Sequence, residues 1–174
     1  MTSIIKVDQI QTPSGTVPTA ADLGLNVAGS VLQVKNDTST TQVVNASQGW
    51  TNAGLSLTIT PQSATNYFWV MFEGYFSSPD TTSDKGYGFN IYANNSSVTS
   101  SANDGFDRPY DFYQDGAGRF FNRDTKVYYG LTGTTSPVTW TVKFTGYNYG
   151  SQGNVVLNLD SESQHSITVM EIAG

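Results

Sequence analysis

The chain has no cysteine, one histidine and only eight lysines and arginines in 174 residues. Without cysteine there is no disulfide framework, no thiolate nucleophile and no cysteine-based zinc site, a composition that suits folding in a reducing cytoplasm. A lone imidazole cannot supply a triad and a metal site together, and His165, between Gln164 and Ser166, is expected as a surface or interface residue. Net charge is −6 and the pI about 4.4, whereas binding a phosphate backbone needs a basic surface; nucleic acid is excluded as a partner on this reading. No apolar run approaches membrane-spanning length. "MTSIIKVDQI" lacks the basic and continuous apolar regions of a signal peptide, so the chain reads as assembled in a cytoplasm. Helix formers are scarce, and the charged share, 13%, is about half the usual 25% or so.

Serine, threonine, asparagine and glycine supply the polarity instead, and aromatics reach 13%. Thr, Val, Tyr, Phe and Trp fit pleated surfaces, while Gly, Asn and Ser fit corners, so the expected class is all-β. Strand signals recur from "SVLQV" onward. "LSLTIT" alternates Leu55, Leu57 and Ile59 with polar residues and stops at Pro61. "NYFWVMFEGYF" is apolar on both faces and is expected at a sheet centre, covered on both sides. "YGFNIYA" leads into an Asn94-Asn95 turn, and "TKVYYGLT" into a turn at Gly133 to Pro137. "VTWTVKF" turns Val138, Trp140, Val142 and Phe144 inward, and "NVVLNL" and "SITVMEI" complete the set. Eight to ten strands around one core predict an antiparallel jelly-roll-like β-sandwich over residues 35–174. Trp50, Trp69 and Trp140 are expected as core anchors.

Residues 1–34 differ from this body. Ser3 to Val34 holds eleven Ile, Val and Leu residues but keeps no period for long. Ile5 and Val7 alternate with Lys6 and Asp8, "TPSG" turns the chain, and "TAADLG" has capping-box-like spacing from Thr19 to Asp22. The segment reads as an extended arm; the bland alternative is an edge strand of its own sandwich.

Several stretches resemble one group of proteins. "SIIKVDQIQTPSGTVPTAADLGLNVAGSVLQV" resembles the opening of small virion structural proteins of tailed phages of aquatic bacteria, including cyanophages, and "HSITVMEIAG" resembles their final strand. Between them, "LSLTITPQSATNYFWVMFEGYF", "GFNIYANNSSV" and "GLTGTTSPVTWTVKF" are similar to that group in order and spacing; Ser100 to Asp124 is not. The resemblance implies a homotrimeric β-rich knob attached to the particle by its arm. Ile4, Ile5, Val7, Ile10, Val17, Leu23, Leu25 and Val27 are then the anchoring contacts, because ordering an extended segment costs entropy that partner contacts must offset. About 30 extended residues reach only on the order of 100 Å, and the chain shows no repeat, heptad or shaft. These features favour a capsid-attached decoration, cement or short head-fibre protein, with the major capsid protein as partner. The alternatives are a tail-fibre tip recognising a host surface glycan, with tail proteins as partners, and a free carbohydrate-binding module.

The loop "SANDGFDRPYDFYQDGAGRFFNRD" is where another activity could sit. As a glycan site it would use Tyr110 and Tyr113 for stacking and Arg108, Arg119 and Asp111 for polar contacts. As a Ca²⁺ site its Asp104, Asp107, Asp111 and Asp115 depart from EF-hand spacing. As structure, its aromatics would pack under the loop or between subunits, with Asp and Arg paired at the rim. "DGAG" lacks the lysine of a phosphate loop, no G-x-S-x-G is present, and carboxylate pairs alone are unspecific. The expectation is no enzymatic activity, no cofactor and no metal.

Overall fold

The computed structural model describes residues 28–47, 49–78, 84–100, 102–103, 109–116, 118–148, 155–159 and 163–174. Within these there is no helix and there are thirteen strands: β1 Val31–Ser39, β2 Val43–Asn45, β3 Thr51–Ile59, β4 Tyr67–Ser78, β5 Lys85–Ala93, β6 Ser96–Ser97, β7 Ala102–Asn103, β8 Pro109–Tyr110, β9 Phe112–Gln114, β10 Phe120–Leu131, β11 Val138–Asn148, β12 Val155–Leu157 and β13 His165–Ile172. The first sheet runs β1-β13-β4 and continues through β12 to β2, with β10 on the other side of β4; the second runs β3-β11-β5, with β6 and β9 beyond. All pairings are antiparallel. The all-β sandwich expected from composition is what forms.

Alternation dictates which side chains meet between the sheets, because side chains two apart share a face. Leu55, Leu57 and Ile59 of β3, Phe68, Val70, Phe72 and Phe76 of β4, Phe89 and Ile91 of β5, and Val138, Trp140, Val142 and Phe144 of β11 are all buried, as are Ile167 and Val169 of β13. Rings interlock across the gap: Phe76 stacks on Tyr87 at 4.2 Å between centroids, Phe72 meets Phe89 at 5.5 Å, and Phe68 meets Trp140 at 5.8 Å. The phase read from "VTWTVKF" holds at all four positions. Asn94 and Asn95 both take left-handed φ, 48° and 68°, which gives the tight turn between β5 and β6 its twist. Gly86 is required where β9 crosses β5, since a Cβ there would lie 2.1 Å from the Phe112 carbonyl oxygen.

Side chains close the two long sides of the sandwich. On one, Gln33 Nε2 and Lys35 Nζ donate to the Thr60 and Thr58 carbonyls at 2.8 Å, and the Ser56 N–H donates to Asp37 at 3.0 Å, tying β1 to β3. On the other, Lys126 of β10 reaches β5, where it donates to the Phe89 carbonyl.

β1 starts at Val31 and pairs with β13; residues 1–27, with all eight anchoring candidates and the "TAADLG" turn, lie outside the described residues. Three expectations change. Trp140 is a core anchor, but Trp50 is 38% exposed and Trp69 stands on the outward side of β4, opposite in phase to Phe68 and Val70. His165 is fully buried rather than superficial. The second face of β4 is only half covered.

Phe76 touches four other rings. Phe76→Ala is expected to cost about 3–5 kcal/mol in denaturant unfolding through the cavity it leaves. Trp50→Ala, at the surface, should cost under about 1 kcal/mol.

Candidate functional site

Three places among the described residues carry functional potential: residues 109–124, a buried polar hub, and the outer face of the first sheet.

In the loop, Asp111 and Lys126 are both mostly buried and meet at 2.7 Å. The second Asp111 carboxylate oxygen accepts from the Phe89 N–H at 2.7 Å. Asp111 therefore pins the loop to β5 and β10, the service a structural reading assigns it. Tyr113 is 44% exposed and its hydroxyl donates to Asp84 at 3.0 Å; that carboxylate also accepts from the Gly116 N–H at 2.6 Å. These donors hold the Asp84 carboxyl below its usual range. Arg119 is exposed. Tyr110 is described only through its backbone in β8, and Arg108, Asp104 and Asp107 lie outside the described residues. The structure thus puts Asp111 and Tyr113 on the rim of β5 and engages both. Among the described residues, no three His, Asp or Glu side chains are grouped to hold a metal.

The hub joins Asn158, left-handed at φ 56°, to His165. Asn158 Nδ2 donates to His165 Nδ1 and, at 3.1 Å, to the Ser39 carbonyl; its backbone N–H donates to the Tyr75 carbonyl at 2.9 Å. His165 Nε2 lies 2.8 Å from the Ala53 carbonyl. A carbonyl only accepts, so the proton sits on Nε2 and Nδ1 accepts: the neutral ring is used in full. Burial pushes the His165 pKa below its ordinary 6.5. Glu171, also buried, is satisfied likewise, accepting from the Gln62 N–H and Asn66 Nδ2 at 2.7 Å and from Gln33.

The outer faces of the two sheets differ sharply. On the second sheet, Ser56, Thr58, Thr139 and Lys143 face outward, with Trp50 packed edge-on against Tyr92 beside the buried Thr141. On the first, register lines up apolar rows across four strands: Val31, Ile172, Tyr67 and Leu131, then Val34, Met170, Trp69 and Tyr129, with Met71 and Val127 in the next row. Val31, Val34, Phe121, Val127, Tyr129 and Leu131 are between 47% and 58% exposed. Tyr67 and Tyr129 stack within 2° of parallel, 5.1 Å apart. The charged side chains of this face, Arg123 and Glu73, pair with each other at 2.9 Å. The signal for the face was present in the apolar double phase of "NYFWVMFEGYF"; the register that aligns it with β10 and β1 was not. A cavity of about 200 Å³ also opens beside the turn at 132–137, lined by Val98, Tyr128, Leu131, Val138 and Trp140 among others.

Two outcomes are expected. Asp111→Ala should cost about 2–3 kcal/mol, because it strands a mostly buried ammonium, and much of that should return in the double variant with Lys126→Ala, read by a double-mutant cycle. For the hub, the unfolded chain takes up a proton at His165 near pH 6.5 and the folded chain only below that. Stability is complete above this value and falls as pH drops beneath it. The melting temperature should decline from pH 7 to 5.5, and His165→Gln should flatten that slope.

No family model and no curated protein matches the chain. Among solved structures, one of the Gx strain of infectious bursal disease virus aligns at 14% identity and TM-score 0.41, over 81% of this chain and 36% of that chain. One of the Gt strain aligns at 12% identity and TM-score 0.21, over 82% and 40%. The chain spans about two fifths or less of the chains it aligns with, and likeness at these levels carries no weight for function.

Proposed function

We propose that this chain is a virion structural protein, a capsid-attached decoration, cement or short head-fibre protein whose N-terminal arm binds the shell and whose β-sandwich forms a homotrimeric knob. The observation that carries the reading is the outward apolar face of the first sheet, joined at β1 to a segment rich in aliphatic side chains. Surface of this kind works by being covered, and its use is assembly. The stretches that resemble phage virion proteins support the assignment to a particle; they supply most of β3 and β4 and parts of β11 and β13. Attachment through buried area needs no cofactor, and the reading includes no catalytic step. A receptor-binding tip would instead rely on the exposed Tyr113 and Arg119, with Asp111 already engaged by Lys126.

The test is a cryo-electron-microscopy reconstruction of particles assembled with the full chain and with an Ile5→Asp, Ile10→Asp variant. The expected result is density for the chain on the capsid lattice, lost in the variant while the purified variant keeps its sheet circular dichroism. Density confined to the tail, or incorporation indifferent to the variant, overturns the reading.

A further inference from the structure

We infer that the outer face of the six-stranded sheet is the contact surface between copies of this chain. This deepens the knob reading above by naming the surface that joins the subunits, and it is argued from the face alone.

Three observations select the occupant. The first is composition. Tyr, Trp and Met are enriched where protein meets protein, and here Trp69, Met71, Tyr129, Val127, Leu131 and Val34 line one side of one sheet. The outer side of the second sheet shows mostly threonine, serine and lysine, with Trp50 and Tyr92 in contact there. The second is charge. The whole chain carries −6, so two copies repel through most of their surfaces. Among the described residues of this face the charged side chains are Arg123 and Glu73, which cancel at 2.9 Å. It is a neutral surface on an acidic molecule, and two such molecules approach there with least repulsion. The third is size. Four strands are roughly 15–20 Å across and the stretch from Tyr67 to Tyr75 roughly 30 Å long, giving on the order of 500 Å² in projection. Three copies that each contribute this face around one axis bury on the order of 1,500 Å² together.

The edge of the face fits the same use. β10 is twelve residues long and, among the described residues, pairs only with β4. Long apolar edges promote association unless something covers them. A neighbouring copy laid over the β10 side of the sheet covers the edge and the face together.

Sedimentation of the full-length chain at micromolar concentration tests this. The wild type is expected to be oligomeric. Val127→Lys combined with Tyr129→Lys should dissociate it, although these substitutions bring net charge nearer zero and so weaken general repulsion. A second measurement does not depend on how well that variant folds. Because the chain has no cysteine, Val127→Cys and Thr58→Cys each create a unique thiol, one on each outer face. The thiol at position 127 should react with a maleimide at least tenfold more slowly than the thiol at position 58. A monomeric wild type, or an oligomer that survives the lysine pair and leaves both thiols equally reactive, overturns the inference. In the second case the trimeric knob stands and another surface joins it, whereas a lysine variant that is monomeric but still enters particles separates the subunit contact from shell attachment. If Ile5→Asp with Ile10→Asp dissociates the oligomer and the lysine pair does not, the N-terminal segment holds the copies together and the face is ruled out.

Discussion

A strand that is apolar on both sides can hide only one of them in a two-layer sandwich, and β4 imposes that constraint on everything around it. Its inward residues, Phe68, Val70, Phe72 and Phe76, set the core and leave the second sheet to supply matching rings from Phe89, Trp140 and Phe144. Its outward residues, Tyr67, Trp69 and Met71, then need apolar neighbours within their own layer: β10 supplies Leu131, Tyr129 and Val127 at the same register, and β13 supplies Ile172 and Met170 beside the first two. The core and the exposed face are two consequences of one segment. A polar outer face would require a different β4, and with it a different pairing partner on each side.

The sides of the sandwich are held by another kind of force. Between β1 and β3 the contacts are amide and ammonium donors on carbonyls, near solvent, each contributing about 1 kcal/mol or less. Between β10 and β5 the contact is a mostly buried ion pair that also takes a backbone donor. Its loss is expensive because the remaining charge has nowhere to go. The same logic explains Asn158 and His165: polar groups at the junction of four strands persist because nearly every hydrogen-bonding position is occupied.

Much of the architecture was legible in the residues. "LSLTIT" and "VTWTVKF" alternate so strictly that their inward phase could be read directly, and the Asn94-Asn95 turn follows from the tolerance of asparagine for positive φ. Size suggests burial for Trp50 and Trp69, whereas phase decides it: Trp69 is one residue from Phe68 and must point the other way. His165 looked superficial because its flanking residues are polar, yet it occupies the inward phase of β13 shared with Ile167 and Val169. In the 101–124 loop, composition revealed the rings and charges, but the Asp111–Lys126 partnership depends on how β9 and β10 lie against β5, a three-dimensional fact with no local signature.

The order of the strands has a consequence for how the molecule is made. β13, more than 120 residues after β1 in the chain, is inserted between β1 and β4, and Gly29 bonds to Ala173 across the same end. During synthesis β1 therefore waits without its hydrogen-bonding neighbour until residues 165–172 have left the ribosome. Until then Phe72 and Val70 lack the cover of Ile167 and Val169. Late closure of this sort is slow and leaves nascent chains sticky. Translation rate and chaperone supply should then govern the yield of native protein more than its final stability does.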